Sequence, residues 1–184
     1  NVVKHAESWH DRPLVDLVRY LGAQHHRFVR EELATIALRL ADLCAAPATV
    51  NPDLPSLRAA FARLSDMLLP HLHREEESVF PLVEALEKTW DSNEPVPAPD
   101  GGLTASIRQL AVEHGAIAAE LRTMRELRLS LVVSNELPAP CSATLDALAT
   151  LEAHLHEYMF LENCVLFPRA LALENQTAAT APKG

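Results

Sequence analysis

Two segments of the chain place a carboxylate one helical turn after a His or a Tyr. Glu75 follows His71 by four residues, and Glu162 follows Tyr158 by the same interval. Side chains four apart on a helix lie on one face, with their Cβ atoms roughly 5–6 Å apart. An imidazole and a carboxylate so placed can bind the same ion, or the carboxylate can bridge two ions. Such nitrogen and oxygen donors suit iron, and also manganese or zinc.

The two segments also agree in the residues that follow the carboxylate. Pro81 lies six residues after Glu75, Pro168 lies six residues after Glu162, and each Pro is preceded by Phe. The agreement of these intervals indicates that the two segments are copies of one repeated unit.

A single His stands at a matching distance before each segment. His26 precedes His71 by 45 residues, and His114 precedes Tyr158 by 44 residues. We therefore interpret the chain as two helix pairs, each with a His on its first helix and the spaced motif on its second. The expected ligands of the first half-site are His26, His71 and Glu75, and those of the second are His114, Glu162 and Tyr158.

Each of these side chains also has a purely structural explanation. An isolated His on a helix is more often a polar surface group or a satisfied core residue than a ligand. In that view His71 and Glu75 form an ordinary hydrogen-bonded pair one turn apart. The repeat favours the metal interpretation over this alternative. Glu76 and Glu77, which follow the first carboxylate, are interpreted as a charged surface.

The composition indicates an all-α protein with one domain. A chain of 184 residues suits a single buried core, and its 48% hydrophobic and 22% charged residues are ordinary for a globular protein. There are only 5 Gly, and aromatic residues make up 5% of the chain. The apolar residues are dominated by Leu and Ala, both of which favour helices.

Pro-rich stretches near residues 46–55, 89–103 and 133–142 divide the chain into four predicted helices. We expect an up-down-up-down bundle with Asp53 and Thr104 as N-caps. Pro70, Pro81 and Pro168 fall inside helices, where we expect kinks. The predicted helices cover about residues 13–44, 54–88, 104–131 and 142–173, in a domain of residues 1–173 followed by a flexible tail of residues 174–184.

Charge and cysteine content exclude several classes of partner. The formal net charge of −9 disfavours binding to nucleic acid, because phosphate backbones are also negative. The chain lacks a run of roughly 18 or more apolar residues, so no membrane-spanning helix is predicted. Cys44, Cys141 and Cys164 are isolated and odd in number, which predicts free thiols in a reducing cytoplasm.

At these residues the chain resembles the hemerythrin-like family, also called the HHE cation-binding family, and within it the branch of iron–sulfur cluster repair proteins. The resemblance covers nearly the whole chain. It implies a four-helix bundle with a non-haem di-iron centre, for which manganese or zinc are possible substitutes. The matching residues are Trp9 with Pro13-Leu14, His26, HLHREEESVFP at 71–81, Glu113-His114, and LEN and LFPRA within 161–170.

The resemblance also assigns roles to the ligands. It implies two bridging carboxylates, and the ligands carried over by position are His26, His71, Glu75, His114 and Glu162. The family's sixth protein ligand is a His on the last helix, and Tyr158 stands at that position.

Three interpretations of Tyr158 remain open at this point. Tyr158 binds Fe(III) as a phenolate, or it hydrogen-bonds a water on an open iron position, or His154 compensates from one turn earlier. His154 would lie about 12 Å along the helix axis from Glu162, so we favour Tyr158 at or beside the metal.

The function implied by the resemblance is a response to nitrosative or oxidative stress. The protein would donate iron to damaged clusters of iron–sulfur proteins, or react with nitric oxide, oxygen or peroxide. Oxygen-carrying hemerythrins add an acidic ligand soon after the His of the third helix, whereas His114 has no carboxylate after it before Glu120. The alternatives are an oxygen-binding or sensing module without catalysis, and a bundle whose His and Glu only form hydrogen-bonded core pairs.

Overall fold

The computed structural model describes residues 2–46, 53–92, 102–133 and 139–180, and nearly all of them are helical. The predicted all-α class is therefore confirmed. Within these ranges three short π-helical segments separate α-helices that would otherwise be continuous. The elements are α1 (Val2–Glu7), α2 (Leu14–Tyr20), π1 (Leu21–His26), α3 (Arg27–Ala45), α4 (Asp53–Arg74), π2 (Glu75–Val79), α5 (Phe80–Ser92), α6 (Gly102–Val133), α7 (Ala139–Leu161), π3 (Glu162–Leu166) and α8 (Phe167–Thr180).

The described helices join into four uninterrupted runs that pack side by side. The runs are α2–π1–α3, α4–π2–α5, α6 alone, and α7–π3–α8. Helix α4 packs along α6, α3 packs against both α4 and α7, and α5 contacts α2 and α8. These contacts gather the runs into a helical bundle.

The core of the bundle consists mainly of leucines at helical spacing. On α3, Leu33, Ile36, Leu40 and Leu43 recur at intervals of three and four residues, and all four are buried. Full burial of such a side chain stabilises a fold by about 1.5–3 kcal/mol. The apolar stripe therefore fixes which face of each helix points inward, and with it the polar residues that share that face.

Two helices receive N-terminal caps from glutamates on other helices. The Glu87 carboxylate accepts hydrogen bonds from the backbone N–H groups of Leu14 and Val15, at 2.7 and 2.8 Å. The Glu174 carboxylate accepts hydrogen bonds from Leu103 N, at 2.7 Å, and from the Thr104 hydroxyl, at 2.9 Å. The N-terminus of a helix has unpaired N–H groups and a partial positive charge, and a carboxylate satisfies both.

The prediction that Thr104 caps its helix is therefore wrong. Helix α6 begins two residues earlier, at Gly102, and Glu174 supplies the acceptor. Gly102 has a φ of +66°, and a Cβ at this position would lie 2.7 Å from Glu174 Oε1. Both the left-handed backbone and the close approach of the capping carboxylate explain why a glycine stands there.

The predicted boundary between the domain and its tail is also wrong. Helix α8 continues past residue 173 to Thr180, because Glu174 is tied to the start of α6 and Leu173 packs against the core. Residues 181–184 lie outside the described residues. The other helical runs cover residues 14–45, 53–92 and 102–133.

The internal prolines lie at different positions relative to the π-helical segments. Pro70 lies inside α4 without ending it, whereas Pro81 and Pro168 each follow a π-helical segment closely. A Pro ring clashes with the carbonyl four residues before it. For both of these prolines that carbonyl belongs to the wider π-turn, which accommodates the ring while the helix continues.

No helix in the described ranges combines the length and apolar character needed to cross a membrane.

Replacing Glu87 by Ala should lower the stability of the bundle. The variant Glu87→Ala loses both hydrogen bonds to the start of α2, and we expect the free energy of unfolding to fall by roughly 1–3 kcal/mol. Urea unfolding followed by circular dichroism measures the change.

The matched control is Glu84→Ala on the same helix. Glu84 makes only a long ion pair with the exposed Arg19, 3.9 Å between Nε and Oε1, so its loss should cost about 0.5 kcal/mol or less. Equal stabilities of the two variants would show that the Glu87 cap contributes nothing.

Candidate metal centre

Six ionisable side chains meet in the interior of the bundle, and every helical run supplies at least one of them. Each is 5% exposed or less. They come from the end of π1, from α4 and π2, from α6, and from α7 and π3. The six residues are His26, His71, Glu75, His114, Tyr158 and Glu162. The structure therefore brings together all six side chains that the sequence singled out.

The π-helical segments carry three of these side chains at their ends. His26 is the last residue of π1, Glu75 is the first of π2, and Glu162 is the first of π3. A π-turn adds a residue to the helical repeat, so it rotates the side chains on its two sides relative to each other. Such turns occur often at functional sites, and here they lie at the level where imidazoles and carboxylates converge.

Four of the six side chains form one tight group. His71 Nε2 lies 3.3 Å from Glu75 Oε1 and 3.2 Å from His114 Nε2, and His114 Nε2 lies 3.2 Å from Glu162 Oε2. One ligand atom from each of the four residues lies within 4.8 Å of every other. This arrangement of two imidazoles and two carboxylates can hold a metal ion.

The other two side chains meet on the opposite oxygen of Glu75. His26 Nε2 lies 3.3 Å from Glu75 Oε2 and 3.2 Å from the Tyr158 hydroxyl. The Tyr158 hydroxyl also donates a short hydrogen bond to Glu75 Oε2. Glu75 thus faces two neighbouring groups of donors, one with each carboxylate oxygen.

The predicted division into half-sites is wrong in its pairing. The sequence repeat assigned His26 and His71 to one half-site and His114 and Tyr158 to the other. In the structure His71 instead faces His114, and His26 faces Tyr158. Helix α4 packs along α6 and α3 packs against α7, so the donors that meet come from different copies of the repeat.

The two carboxylates have opposite tendencies to ionise. Burial and repulsion from Glu75 raise the pKa of Glu162 well above its ordinary value. Burial also raises the pKa of Glu75, but the His26 ring and the charge of His71 outweigh it and leave the pKa lowered. Burial, and then the negative charges of Glu162 and Glu75, raise the pKa of Tyr158. Low-dielectric surroundings therefore disfavour a further negative charge unless a cation joins the site.

The buried carboxylate oxygens that lack a hydrogen-bond partner indicate whether a cation fits the site. Glu75 Oε1 and both oxygens of Glu162 are buried without a hydrogen-bond partner among the described residues. Buried carboxylate oxygens are costly unless they are paired or bind a metal. His71 Nε2 lies 3.3 Å from Glu75 Oε1, and His114 Nε2 lies 3.2 Å from Glu162 Oε2. Imidazole with carboxylate is a donor set of iron, manganese and zinc sites. The residues present therefore fit a metal.

The outer nitrogen of each imidazole is held by an oxygen acceptor. His26 Nδ1 donates to Glu76 at 2.8 Å, His71 Nδ1 donates to Glu113 at 2.8 Å, and His114 Nδ1 donates to Asn163 at 3.1 Å. A proton on Nδ1 leaves the lone pair of Nε2 free to point inward, which is the tautomer a metal needs.

Arginines hold two of these acceptors in turn. Arg30 donates to both oxygens of Glu76, at 2.7 and 2.8 Å, and Arg74 donates to Glu113. Partial burial raises the pKa of Glu76, but hydrogen bonds from Arg30 and His26 outweigh it and leave the pKa lowered. Partial burial also raises the pKa of Glu113, but hydrogen bonds from His71 and Gln109, and then the charge of Arg74, leave the pKa lowered. Each carboxylate is therefore ionised and remains an acceptor at neutral pH.

Sequence reasoning missed most of this outer layer. Glu76 is predicted from the sequence as surface charge, whereas Glu76, Glu113 and Asn163 each hold the outer nitrogen of an imidazole. One signal was available, because each of the three directly neighbours a candidate ligand in the chain. A buried imidazole needs an acceptor for its outer nitrogen, and polar residues beside a ligand are the nearest candidates.

Other residues near the centre take no part in it. Cys164 is exposed, because π3 turns it away from the buried Glu162. His73 is exposed as well. Glu120 forms an ion pair with Arg63 at 2.8 Å, so the carboxylate that follows His114 does not reach the site.

A second His pair lies beside the cluster. His25 Nδ1 lies 2.8 Å from His154 Nε2, and the His25 ring is 2% exposed. Burial, together with the neighbouring His154, lowers the pKa of His25 to about 4, so the imidazole is neutral at pH 7. His154 thus binds His25 and does not replace Tyr158 at the centre.

Removal of both central carboxylates should abolish metal binding. In Glu75→Ala combined with Glu162→Ala, the imidazoles lose the negative charges that compensate a bound cation, so we expect no metal to copurify after expression with added iron. Elemental analysis of the purified protein measures this.

Glu77→Ala is the control, because Glu77 is an exposed residue of the same π-turn. It should retain the metal content of the wild type. A double variant that binds as much metal as the wild type would exclude these two residues as ligands.

Comparison with known proteins gives consistent matches over most of the chain. The sequence profile of the hemerythrin HHE cation binding domain matches residues 17–170, a span that contains all six residues of the cluster. The iron–sulfur cluster repair protein YtfE of Yersinia pseudotuberculosis serotype IB (strain PB1/+) is 25% identical over 167 residues, which are 90% of this chain and 70% of that protein. YtfE of Yersinia pestis (strain Pestoides F) matches with the same identity and coverage.

Proposed function

Because the chain belongs to the hemerythrin HHE cation-binding family, we propose that its buried cluster holds a non-haem di-iron centre that serves the repair of iron–sulfur clusters under nitrosative or oxidative stress. The observation that carries this proposal is the pair of unsatisfied buried carboxylates surrounded by Nε2 atoms of three imidazoles. The similarity to proteins named for iron–sulfur cluster repair supports the same function.

Two metal positions are proposed because the donors fall into two groups that share Glu75. His71, His114 and Glu162 surround one position, and His26 with Tyr158 surrounds the other. Glu75 offers one oxygen to each group, so we assign it as a bridge, and we assign Glu162 as the second bridge. Iron is the proposed resident metal, and manganese or zinc are substitutes that the same donors accept.

We also propose that the bundle has an up-down-up-down course built from two copies of a helix pair. The capping glutamates support the repeat, since Glu87 lies twelve residues after Glu75 and Glu174 lies twelve residues after Glu162. Each caps the helix that precedes it in its own pair. The π-turns that begin at Glu75 and Glu162 support it further. The proposed domain extends from residue 1 through α8.

The residues around the proposed centre orient, neutralise and shield it. Glu76, Glu113 and Asn163 keep the three imidazoles in the tautomer whose Nε2 points inward. Phe80 stacks on His26 and Phe167 stacks on His114, at ring distances of 5.2 and 5.8 Å, and both Phe side chains exclude water. When bound, iron supplies one-electron chemistry and open coordination positions for a small molecule.

A cavity beside His71 gives small molecules a route to this centre. It has a volume of about 220 Å³, lies between α4 and α6, and is lined in part by Met67, Pro70 and Ala116. The ion pair of Arg74 with Glu113 lies at its edge. An apolar wall with a charged edge favours small uncharged ligands such as nitric oxide, oxygen or hydrogen peroxide, which we propose as its occupants.

The proposed setting is a reducing cytoplasm, with iron–sulfur proteins as partners. Three free cysteines, Cys44, Cys141 and Cys164, are compatible with such a compartment. The acidic chain makes nucleic acid an unfavourable partner.

Iron loading combined with a visible spectrum tests the assignment of the six ligands. We expect two irons per chain after expression with added iron, and a phenolate-to-iron band in the visible spectrum of the oxidised protein. In Tyr158→Phe the band should disappear while the iron remains, because the other five ligands are intact. If the wild type binds two irons but shows no visible band, Tyr158 is not a ligand and its hydroxyl only hydrogen-bonds Glu75.

Iron transfer tests the proposed repair function. The iron-loaded wild type, mixed with an iron–sulfur protein whose cluster has been destroyed by nitric oxide, should restore the cluster when sulfide and reductant are present. The variant without Glu75 and Glu162 carboxylates should not. Recovery of the cluster at equal rates with the wild type and the variant would remove the basis for a repair function.

An oxygen-binding module without catalysis is the second candidate. Its support is the match to the hemerythrin family model, whereas the lack of an acidic ligand soon after His114, where Glu120 is paired with Arg63, counts against an oxygen carrier. Rapid mixing of the reduced protein with oxygen separates the two candidates. A stable and reversible oxygenated spectrum favours the module, and direct irreversible oxidation favours the repair protein.

A further inference from the structure

We propose that a row of aromatic rings from Tyr158 through His25 to Tyr20 carries single electrons between the metal centre and the protein surface, with Tyr20 as the residue that donates the electron. The inference rests on the proposed function, because it needs a redox-active metal beside Tyr158. It adds to that function a route by which oxidising equivalents leave the buried site.

The rings of the row follow one another at short distances. The centroid of the Tyr158 ring lies 5.9 Å from that of His25, and His25 lies 5.1 Å from Tyr20 in an edge-to-face contact. Tyr158 hydrogen-bonds Glu75 at the centre, whereas Tyr20 is only partly buried. The row therefore starts at the proposed metal site and ends where the bundle meets solvent.

The chain contains few side chains that are easily oxidised, so their position in this row supports the proposed route. The whole chain contains 2 Tyr and 2 Trp, the side chains that lose an electron most readily apart from thiols. Both tyrosines lie in the row, and Trp9 packs on Tyr20 with the ring centroids 5.0 Å apart. Trp90, on α5, is 49% exposed and does not belong to the row.

Oxidation of Tyr20 requires an acceptor for its phenol proton. The His5 ring lies 5.5 Å from the Tyr20 ring, and His5 Nδ1 is hydrogen-bonded to Glu157 at 2.8 Å. Both His5 and Glu157 are about one third exposed, and Tyr20 is only partly buried, so water beside the Tyr20 ring can accept the phenol proton. The phenol can therefore lose its proton together with its electron and leave a neutral radical.

Trp9, whose ring packs on Tyr20, is less favourable to oxidise than Tyr20. The Arg12 guanidinium carbon lies 4.2 Å from the centroid of the Trp9 ring, and its positive charge opposes a cation on that ring. The Trp9 indole nitrogen is also buried without a hydrogen-bond partner among the described residues, so no neighbour accepts its proton. The radical therefore stays on Tyr20.

The electron balance needs an oxidant and a donor, for which we name hydrogen peroxide and a small reductant of the ascorbate class. Each peroxide takes up two electrons and two protons and leaves as two waters. Tyr20 supplies one electron towards the centre and releases its phenol proton to water. The surface reductant then returns an electron and a proton to Tyr20. The oxidation is thereby moved to Tyr20, which solvent can reach, and the ligands of the centre are not oxidised.

Electron paramagnetic resonance of the iron-loaded full chain, frozen within seconds of mixing with hydrogen peroxide, tests this route. We expect an organic radical whose hyperfine pattern collapses when the protein contains ring-deuterated tyrosine. The signal should be lost in Tyr20→Phe, which keeps the ring and its packing. It should be unchanged in the matched control Trp90→Phe.

A chase with ascorbate gives a second readout. The signal of the wild type should decay faster as the ascorbate concentration rises, because Tyr20 is accessible, whereas Tyr158 is only 1% exposed. Three results would overturn the route. They are a radical of full intensity in Tyr20→Phe, a radical that ascorbate does not affect, and no radical in protein whose iron has been oxidised.

Iron content and the visible spectrum are measured on the same samples. Protein that binds no iron would remove the proposed function and this route together. Protein that binds and oxidises two irons without forming the Tyr20 radical would remove only the route.

Discussion

The burial of two carboxylates against three imidazoles is the constraint on which the rest of the structure depends. Glu75 and Glu162 are fully buried, and their unpaired oxygens represent a cost that apolar packing alone does not offset. A cation offsets that cost directly, since it converts repulsion between two carboxylates into shared attraction. The centre is therefore best understood as a site whose stability and metal binding are one property.

The remainder of the bundle is organised so that these charges stay in place. The imidazoles are fixed from outside by Glu76, Glu113 and Asn163, and arginines at the half-exposed edge hold the two carboxylates among them. His26 and His71 thus each lie between an inner carboxylate and an outer one, and an arginine lies beyond each outer carboxylate. Removal of one layer would weaken the next, because each group owes its orientation to its outer neighbour.

The Tyr at the sixth ligand position links the metal site to the aromatic surroundings. Its hydroxyl lies on Glu75 and near His26, and its ring lies against His25. A His at this position would offer a neutral nitrogen donor, which differs in shape and in charge from a phenolate oxygen. A phenol at this point would favour oxidised iron in the proposed centre, and the His25 ring lies between it and the second tyrosine, Tyr20. These two properties suit a protein that meets oxidants and must remain intact afterwards.

Much of the helical fold followed from the sequence, and so did the set of buried side chains that meet at the candidate metal centre. Leucines at three-and-four spacing and Pro-rich breaks predicted the helical runs, because periodicity reports which face of a helix is buried. The repeat predicted the six residues that meet, because inward-facing positions recur at the same helical register.

Tertiary structure alone decided which of those residues face one another and what surrounds them. It paired His71 with His114, assigned Glu76 and Asn163 to the imidazoles, and placed Glu87 and Glu174 on the ends of distant helices. A sequence pattern specifies the inward face of a helix but not its neighbour. The neighbour is set by how all the helices pack together, and only that packing determines which donor reaches which acceptor.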